Sequence, residues 1–394
     1  MTVTPELIEQ GIAQDQFLFH YQPKISLLNG KPSGAEALLR WLQPDGTLTP
    51  PADFIPIAED AGLLPRLTAH MFPHLLRDYQ QIRALHEPGS ESPIALNVSA
   101  SDLDGTRLLR LVRDAIGEGQ IGCDQLQLEI TEGVIVAEGN QQVDRTLTGL
   151  VAAGVKLAMD DFGTGFSSMN TLNRLPFSTI KLDQSFVRQM ERSMKSATLI
   201  KASISMAEML GIKTVIEGIE TEQTYHALLH SGCNEAQGYW ISKPLPLEGY
   251  IAFLNSRPSW PCSPVGMLRM AQLTHTWQHK LMVDSVLSLL SKDSAERTDA
   301  LEQLHMDHTE CSLGRWYYGE GQHFADNPDF VALEAPHQCL HDSCNRIFEA
   351  VRDGAGPDRL LPLLETLGDH SGEVHRYLHR LETRCLLESF QNNS

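Results

Sequence analysis

The sequence predicts an α/β protein in which a closed (β/α)8 barrel of the TIM type is followed by an all-α four-helix bundle. Over residues 1–254, eight short runs of β-forming residues alternate with amphipathic helical stretches, a pattern that favours a barrel over an open sheet. Residues 255–265 are rich in proline and break both periodicities, so we place a linker there. Residues 266–389 have helical spacing throughout. A chain of 394 residues is long enough for two such cores.

Polar residues stand at or near the C-terminal ends of most of the predicted strands. In barrels of this type that end carries the active site, whereas strand ends without a function more often hold Gly, Asn or Ser. We therefore expect a site at that face of the barrel. The predicted strands are 17–25, 35–41, 94–99, 126–131, 155–162, 179–183, 213–218 and 236–242.

The C-terminal residues predict four helices with short connections, which is typical of an antiparallel bundle. Apolar residues recur at helical spacing, for example Met282, Val286 and Leu289. The predicted helices span about 266–291, 294–310, 329–353 and 357–389.

The charge of the chain excludes several classes of partner. A formal net charge of −19 opposes non-specific binding to DNA or to anionic membranes, because counterion release needs clustered Lys and Arg. No apolar run approaches the ~18 residues that a membrane span requires, so no membrane insertion is expected. The N-terminal MTVTPELIEQG lacks the basic start and apolar stretch of a secretory signal, so we expect a cytoplasmic protein with reduced cysteines.

Acidic residues at the predicted strand ends form a candidate metal site. Several carboxylates cannot all stay ionised within ~4–6 Å of one another unless their pKa values rise or divalent cations bind. An all-oxygen ligand set suits Mg²⁺ or Mn²⁺, and a pair of such cations would polarise a phosphodiester and generate a hydroxide near neutral pH. The candidate ligands are Glu36, Asn97, Glu129, Asp160 and Asp161.

Two features of this set need a local explanation. Asp160 and Asp161 are adjacent and would point to opposite faces of a regular strand, but a strand end that bends into the Gly-rich turn 162–168 lets both reach one site. Lys181 lies between two apolar residues of a strand, so we expect it to point into the barrel mouth, where it can hold the attacking water and offset transition-state charge. The alternative is that Lys181 only pairs with a structural carboxylate.

Nine short strings, in order and spacing, resemble the EAL-domain phosphodiesterases specific for cyclic di-GMP. The resemblance covers about residues 5–250. It implies metal-dependent hydrolysis of one 3′,5′-phosphodiester of cyclic di-GMP to linear pGpG, with two Mg²⁺ or Mn²⁺ ions in each active site. The strings are YQP (21–23), EALLRW (36–41), FIPIAE (54–59), NVS (97–99), EITE (129–132), DDFGTGFSS (160–168), KLD (181–183), EGIET (217–221) and QGYWISKPLP (237–246).

The resemblance also implies roles for individual residues. The five candidate ligands match the family's two metal sites, with Asp160 bridging them. Lys181 matches the lysine that holds the nucleophilic water, and Glu217 matches a glutamate that is essential at the metal and water centre. Glu132 matches the residue that fixes the loop after DDFG, and Glu220 matches a supporting glutamate nearby.

Three further positions match groups that contact the substrate or the metal site. Gln22 and Arg40 match substrate contacts, and an arginine there suits a bidentate grip on phosphate. Gln237 matches a contact to the metal site or to the substrate. The main alternative is a degenerate domain that binds cyclic di-GMP or a protein partner without cleavage. Such domains usually lose a metal ligand or the lysine, and this chain keeps all of them.

Histidines and a cysteine predict a second, softer metal site in the helical region. His337 and His341 are spaced i, i+4, which puts two imidazoles on one helix face, and Cys311 precedes them. A Cys with two or three His is a zinc set rather than a magnesium set. Together with an upstream His, the pattern resembles the chemoreceptor zinc-binding domain over about residues 266–385.

The resemblance implies a zinc ligand set of one His on the first helix, the Cys and the two paired His. The first ligand is ambiguous, since His275 and His279 both precede the apolar run of that helix on the same face, and we favour His275. Such a closed, four-coordinate site would be structural or sensory. We therefore expect zinc on this domain to regulate the barrel. We also expect the chain to form a homodimer. The alternative is a plain dimerisation bundle whose histidines are incidental.

Overall fold

The protein forms two compact units. A computed structural model describes residues 3–85, 92–131, 133, 141–163, 172, 174–190, 193–290 and 307–392. The first unit contains residues 1–203, 212–229 and 233–262, and the second contains residues 204–211, 230–232 and 263–394. The main break, after Cys262, lies inside the predicted linker. Among the described residues, no helix has both the length and the apolar character needed to cross a membrane.

A closed barrel of eight strands dominates the first unit and confirms the predicted fold class. Going round the barrel, the strands follow the order β1, β2, β4, β5, β6, β7, β8, β9 and back to β1, with β3 and β10 as short additions to β2 and β1. The strands are β1 (Phe17–Ser26), β2 (Pro32–Leu42), β3 (Leu48–Thr49), β4 (Ile94–Asn97), β5 (Leu126–Thr131), β6 (Lys156–Phe162), β7 (Thr179–Leu182), β8 (Lys213–Ile216), β9 (Glu235–Ala236) and β10 (Leu245–Pro246).

Helices follow most of the strands from β3 onward, as the pattern of amphipathic stretches predicts, and the segment between β6 and β7 lies largely outside the described residues. Pairings from β2 through β9 are parallel, so the C-terminal ends of these strands meet at one face. The helices are α1 (Pro5–Ala13), α2 (Pro51–Asp60), α3 (Leu64–Arg83), α4 (Ala100–Leu103), α5 (Arg107–Gly117), α6 (Gln141–Ala152), α7 (Gln184–Met190), α8 (Met194–Met209), α9 (Glu222–Leu228) and α10 (Leu247–Asn255).

The first strand departs from a plain (β/α)8 pattern because β1 runs antiparallel to both of its neighbours, β2 and β9. Residues 27–31 join β1 directly to β2, with Gly30 at φ +68°, whereas a parallel pair needs a crossover of a dozen or more residues. In the resulting register Gln22 lies opposite Glu36. Residues directly opposite each other project to the same face, so this hairpin brings both side chains to one region.

The last strand is much shorter than the predicted run 236–242, since β9 ends at Ala236. A Cβ on Gly238 would collide with the backbone of Ile219, and Trp240 N donates to the Ile219 carbonyl at 2.9 Å. The chain therefore leaves the sheet at Gln237 and packs against the loop that follows β8.

The second unit is helical, as predicted, but its helices differ from the predicted ones. Most of the predicted second helix, 294–310, lies outside the described residues, and 307–310 form a turn. The predicted helix 329–353 is interrupted between Val331 and Glu334. The helices are α11 (Val265–Leu289), α12 (Ser312–Tyr318), a 3₁₀ helix (Glu320–Phe324), α13 (Pro328–Val331), α14 (Glu334–Arg352) and α15 (Pro357–Asn392).

Two apolar clusters hold these helices together. One joins α11, α12 and α15 around residues such as Leu268, Trp316 and Leu378. The other joins α11, α14 and α15 around Val286 and Ile347. The long helices thus share cores along most of their length, which fixes the side chains that lie between them.

Candidate active site and candidate zinc site

Lys181 lies at the centre of a buried acidic cluster in the barrel. Its side chain is 1% exposed, and its Nζ donates a hydrogen bond to Glu129 Oε2. The same Nζ lies 2.7 Å from Glu217 Oε1, 3.3 Å from Asp160 Oδ1 and 3.4 Å from Glu36 Oε2. Four carboxylates from strands β2, β5 and β6 and from the end of β8 therefore converge on one ammonium group, as the sequence predicts for the barrel mouth.

A second buried lysine, Lys24, completes the cluster and was not foreseen from the sequence. Its Nζ lies 2.7 Å from Glu129 Oε1 and donates to Gln127 Oε1 at 3.1 Å. The signal was present in the strand alternation, because Gln22 and Lys24 are two residues apart on β1 and must project to the same face. Glu129 thus holds one ammonium group on each carboxylate oxygen.

Amide side chains orient Glu36 within the cluster. Asn97 Nδ2 donates to Glu36 Oε1 at 2.6 Å, and Gln237 Nε2 donates to Glu36 Oε2 at 2.8 Å and to Gln22 Oε1 at 3.0 Å. The remaining oxygen of this amide, Gln237 Oε1, is buried and has no hydrogen-bond partner among the described residues. A buried acceptor without a donor is costly, so this oxygen marks a place where a ligand or an ion would be stabilised.

The local backbone brings Asp160 and Asp161 to the same end of β6. The register with β7 breaks between Met159 and Phe162, and Asp161 adopts φ +55°, a left-handed conformation that costs a non-glycine residue roughly 1–3 kcal/mol. Asp161 N donates to Asp160 Oδ1 at 3.0 Å. The strand therefore bends where the Gly-rich sequence predicts a turn, although most of that turn, 164–171, lies outside the described residues.

The electrostatics of the cluster show an excess of negative charge. Although burial opposes it, the surrounding carboxylates hold the pKa of Lys181 well above its ordinary value, so this side chain is an ammonium ion. Burial would raise the pKa of Glu36, but Lys181 and Lys24 lower it below its ordinary value. For the other four acids burial outweighs the lysines, and the pKa is raised, for Glu129, Asp160, Asp161 and Glu217.

Five carboxyl groups thus share two ammonium groups within the described part of this cluster, and they cannot all be ionised at low cost. Divalent cations would balance the excess negative charge. The candidate ligand atoms are all oxygens, which suits Mg²⁺ or Mn²⁺. The side chains therefore fit the metal pair that the sequence predicts. The residues that could hold the cations are Glu36, Asn97, Glu129, Asp160 and Asp161.

The remaining predicted residues have different positions. Arg40 is partly buried on β2, where its guanidinium donates to the Leu39 carbonyl at 2.8 Å. Glu220 is exposed and pairs with Arg188 at 2.6 Å, so the structure does not bring it into the buried cluster. Glu132 lies outside the described residues.

In the second unit the structure brings Cys311, His337 and His341 together. Their candidate ligand atoms all lie within 4.8 Å of one another, and Cys311 Sγ lies 3.2 Å from His337 Nε2. Burial lowers the pKa of His337 to about 3, so its imidazole is neutral and can offer a lone pair to a metal. Cys311 caps α12, where Gly314 N donates to its Sγ at 3.2 Å. Burial outweighs this bond and raises the pKa of the Cys311 thiol, so a bound metal would have to displace its proton. This set fits zinc.

Both candidates for the first zinc ligand line the same cavity, of about 230 Å³, as the Cys311, His337 and His341 group. His275 Nε2 already forms a hydrogen bond with Ser371 Oγ at 3.1 Å. His279 Nε2 is buried and has no partner among the described residues. Nε2 of His279 therefore has no partner in the described part of the chain, whereas Nε2 of His275 is engaged by Ser371. Burial lowers the pKa of His275 to about 3, and His341 adds to this shift, so the His275 imidazole also lies near the zinc set.

His308 stands beside the zinc set. Its ring centroid lies 6.1 Å from that of His337 and 6.4 Å from that of His341. Its Nε2 is within 3.3 Å of Tyr318 Oη and of Gln338 Nε2. These contacts place His308 at the edge of the candidate zinc site rather than apart from it.

Comparison with protein families confirms both resemblances. The EAL domain model matches residues 6–244 of this chain, the range that contains the barrel and its acidic cluster. This chain belongs to the EAL domain family. The model of the chemoreceptor zinc-binding domain matches residues 279–348, a range that begins at His279 and includes Cys311 and the paired histidines.

Curated relatives share the barrel. The cyclic di-GMP phosphodiesterase NbdA of Pseudomonas aeruginosa is 36% identical over 267 residues, which cover 68% of this chain and 34% of the relative. The bifunctional diguanylate cyclase/cyclic di-GMP phosphodiesterase MucR of the same organism is 34% identical over 246 residues, 62% of this chain and 35% of the relative. The chain spans 31% to 41% of the length of such relatives.

Solved structures agree with the fold. A PaMucR phosphodiesterase in complex with c-di-GMP superposes with a TM-score of 0.57 at 33% identity, covering 62% of this chain and 97% of that one. An EAL domain protein from Listeria monocytogenes gives a TM-score of 0.55 at 28% identity, covering 65% of this chain and 99% of that one. The likeness covers the barrel portion of the chain.

Proposed function

We propose that this chain hydrolyses cyclic di-GMP to linear pGpG at the barrel mouth, with two Mg²⁺ or Mn²⁺ ions as cofactors. The observation that carries the proposal is the buried cluster in which five carboxyl groups share Lys181 and Lys24. A cluster with this excess of negative charge supports cation binding. A phosphodiester anion could approach the cluster only once cations are present. The names of the relatives NbdA and MucR support the substrate.

The proposed reaction is an in-line displacement at one phosphorus. A water molecule attacks phosphorus, the bond to the 3′ oxygen breaks, and the 5′ phosphate of pGpG remains. Divalent cations held by the acidic set would lower the pKa of that water and neutralise the phosphoryl oxygens. Lys181 has three N–H groups for four surrounding carboxylates, so it would donate to the water where a cation takes over one of these carboxylates, and it would then stabilise charge as it develops.

Residues around the cluster complete the proposed site. Gln22 and Gln237 are linked to Glu36 through hydrogen bonds, so they can orient a substrate with respect to the acidic set. Arg40 lies on the same strand as Glu36 and carries a guanidinium suited to a phosphate oxygen. Glu217 contacts Lys181 directly and would fix its position.

A hydrolysis assay on cyclic di-GMP with purified full-length chain tests this proposal. We expect formation of pGpG in Mg²⁺ or Mn²⁺ and no turnover in excess EDTA, with activity restored by added cation. Binding of cyclic di-GMP without hydrolysis in every metal condition would instead support the alternative of a receptor without catalysis. Equal rates with and without EDTA would contradict the metal-dependent mechanism.

We also propose that zinc bound in the second unit regulates the barrel. Support comes from the convergence of Cys311, which precedes α12, with His337 and His341 of α14, and from the unpartnered Nε2 of His279 on α11. An ion held by all four would join three helical segments, so its binding would change how they pack. We propose His279 as the fourth ligand. His275 remains the ligand predicted from the sequence. The homodimer also remains a prediction from the sequence.

A further inference from the structure

A third group of metal-binding side chains lies on the barrel, outside the acidic mouth. Asp15 lies two residues after the end of α1, and His70 and His74 lie on α3. His70 Nε2 lies 3.0 Å and His74 Nε2 lies 3.1 Å from the same carboxylate oxygen, Asp15 Oδ1. The two side-chain imidazoles are 30% and 21% exposed, so the group is open to solvent on one side and packed on the other.

Local structure explains why these three side chains meet. His70 and His74 are spaced i, i+4 and therefore share one face of α3. Asp15 ends α1 at φ +55°, and Gln16 N donates to the Gly11 carbonyl at 3.0 Å, the closing bond of a Schellman motif. Gly or Asn is the usual residue at this left-handed position. The turn tolerates an aspartate but does not require one, and the two histidines give this aspartate its partners.

The geometry of the three donor atoms fits a tetrahedral metal ion. Zinc bonds to His nitrogen and carboxylate oxygen are about 2.0–2.2 Å long, so two donors in a tetrahedral site are ~3.3–3.5 Å apart. The observed separations of 3.0 and 3.1 Å need to widen by only a few tenths of an ångström. All three donors lie within 4.8 Å of one another.

The chemistry of the set selects the kind of ion. Two imidazoles and one carboxylate prefer zinc and its late first-row neighbours over Mg²⁺ or Ca²⁺. Each imidazole offers its Nε2 lone pair to a metal once that nitrogen gives up its contact with Asp15 Oδ1.

We propose that Asp15, His70 and His74 bind one divalent ion of the zinc class, with water in the fourth position. The ion ties the start of β1 to α3. Because β1 also carries Gln22 and Lys24, the site anchors the strand that supplies part of the acidic mouth. The zinc response of the full-length chain then has a contribution from the barrel itself, independent of the Cys311, His337 and His341 site.

The test uses the full-length chain with Cys311→Ala, in saturating Mg²⁺, and measures bound zinc by equilibrium dialysis together with the melting temperature of the barrel. We expect zinc at about five times its Kd to raise that temperature by about 2–4 °C. The rise, and one bound zinc ion per chain, should be lost in the double variant His70→Gln/His74→Gln. His226→Gln, which alters an exposed barrel histidine on α9, is the matched control and should keep both.

Asp15→Gly separates metal binding from folding. Glycine suits the left-handed backbone at position 15, so the zinc-free variant should melt at the same temperature or higher, yet it should lose the zinc-induced rise. The proposal is overturned if Asp15→Gly and the double variant respond to zinc as His226→Gln does, or if the Cys311→Ala parent shows no zinc-dependent rise.

Discussion

The barrel mouth and the helical zinc site solve the problem of buried polar groups in opposite ways. In the mouth, five carboxyl groups share two ammonium groups, and burial raises the pKa of four of the five. In the second unit, burial lowers the pKa of His337 to about 3, which leaves a neutral ring beside Cys311. The mouth has fewer positive than negative groups, whereas the helical site presents a neutral imidazole beside a buried thiol whose pKa burial raises.

This difference indicates which ion each site accepts. Hard cations with oxygen ligands stabilise the mouth mainly through their charge, so many neighbouring acids contribute and each depends on the others. A softer ion in the helical site is held by directed bonds to a few atoms, so loss of one ligand is local. Substitutions in the two sites should therefore differ both in size and in what they alter.

The largest effect is expected for Glu36→Ala. Glu36 accepts hydrogen bonds from Asn97 and Gln237 and lies 3.4 Å from Lys181, so its loss removes a proposed metal ligand and releases two amides. We expect kcat/KM for cyclic di-GMP to fall by more than ~10³-fold. Glu118→Ala, which alters an exposed glutamate at the end of α5, is the control. Comparable rates for the two variants would show that the acidic mouth is not the catalytic site.

The two buried lysines give a sharper comparison within the mouth. Lys181→Met removes the ammonium group that contacts Glu217 and Asp160, and we expect kcat to fall by at least ~10²-fold with little change in substrate affinity. Lys24→Met removes an ammonium group that contacts Glu129 and Gln127 and that is paired with neither Glu217 nor Asp160 among the described residues, so its effect on kcat should be smaller. Steady-state kinetics of both variants decide this. Similar losses would mean that Lys181 acts only as a structural partner of the carboxylates.

Zinc regulation is expected to have an intermediate effect. If zinc on the second unit controls the barrel, micromolar zinc should change the hydrolysis rate by roughly 5–150-fold. Cys311→Ala and His337→Ala should remove most of that change, whereas Cys339→Ala, an exposed cysteine on the same helix as His337, should keep it. A full zinc response in both site variants would leave the second unit without a regulatory role.

The smallest effect should distinguish His279 from His275. His279→Gln removes the unpartnered buried nitrogen, so we expect the zinc affinity of the second unit to fall by at least ~10-fold. His275→Gln breaks the bond to Ser371 and should weaken zinc binding less. Competition with a chromophoric chelator measures both. The reverse order of affinities would restore His275 as the ligand.

Much of the barrel could be predicted because strand runs and polar strand ends are local signals. The predicted strand 126–131 matches β5 in full, and the acids that alternate along such strands reach the mouth as expected. The antiparallel course of β1 and the short β9 depend on contacts between distant segments, such as Gly238 with Ile219, which no periodicity reveals. Lys24 could have been predicted as Lys181 was, because its spacing from Gln22 on β1 already places both side chains on one face.

In the second unit, sequence spacing alone predicts that His337 and His341 lie close together, because residues spaced i, i+4 share one face of a helix. Cys311 could be added by chemistry, since zinc favours thiolate. The choice between His275 and His279 could not be made in the same way. Both histidines lie on one face of α11. The hydrogen bond between Nε2 of His275 and Ser371 of α15 appears only in the packed structure.

The contact between Gly238 and Ile219 has a mechanical consequence. Ile219 N donates to the Gln237 carbonyl at 3.1 Å, and Trp240 N donates to the Ile219 carbonyl. These two backbone hydrogen bonds join the loops after β8 and β9, and we call the joined residues 219 and 237–240 the seam. Glu217 stands just before this seam on one loop, and Gln237 lies within it on the other. Any side chain at position 238 would wedge the loops apart and displace both groups together. Gly238, which has no side chain, is therefore needed to hold Glu217 and Gln237 in position on one side of the barrel mouth.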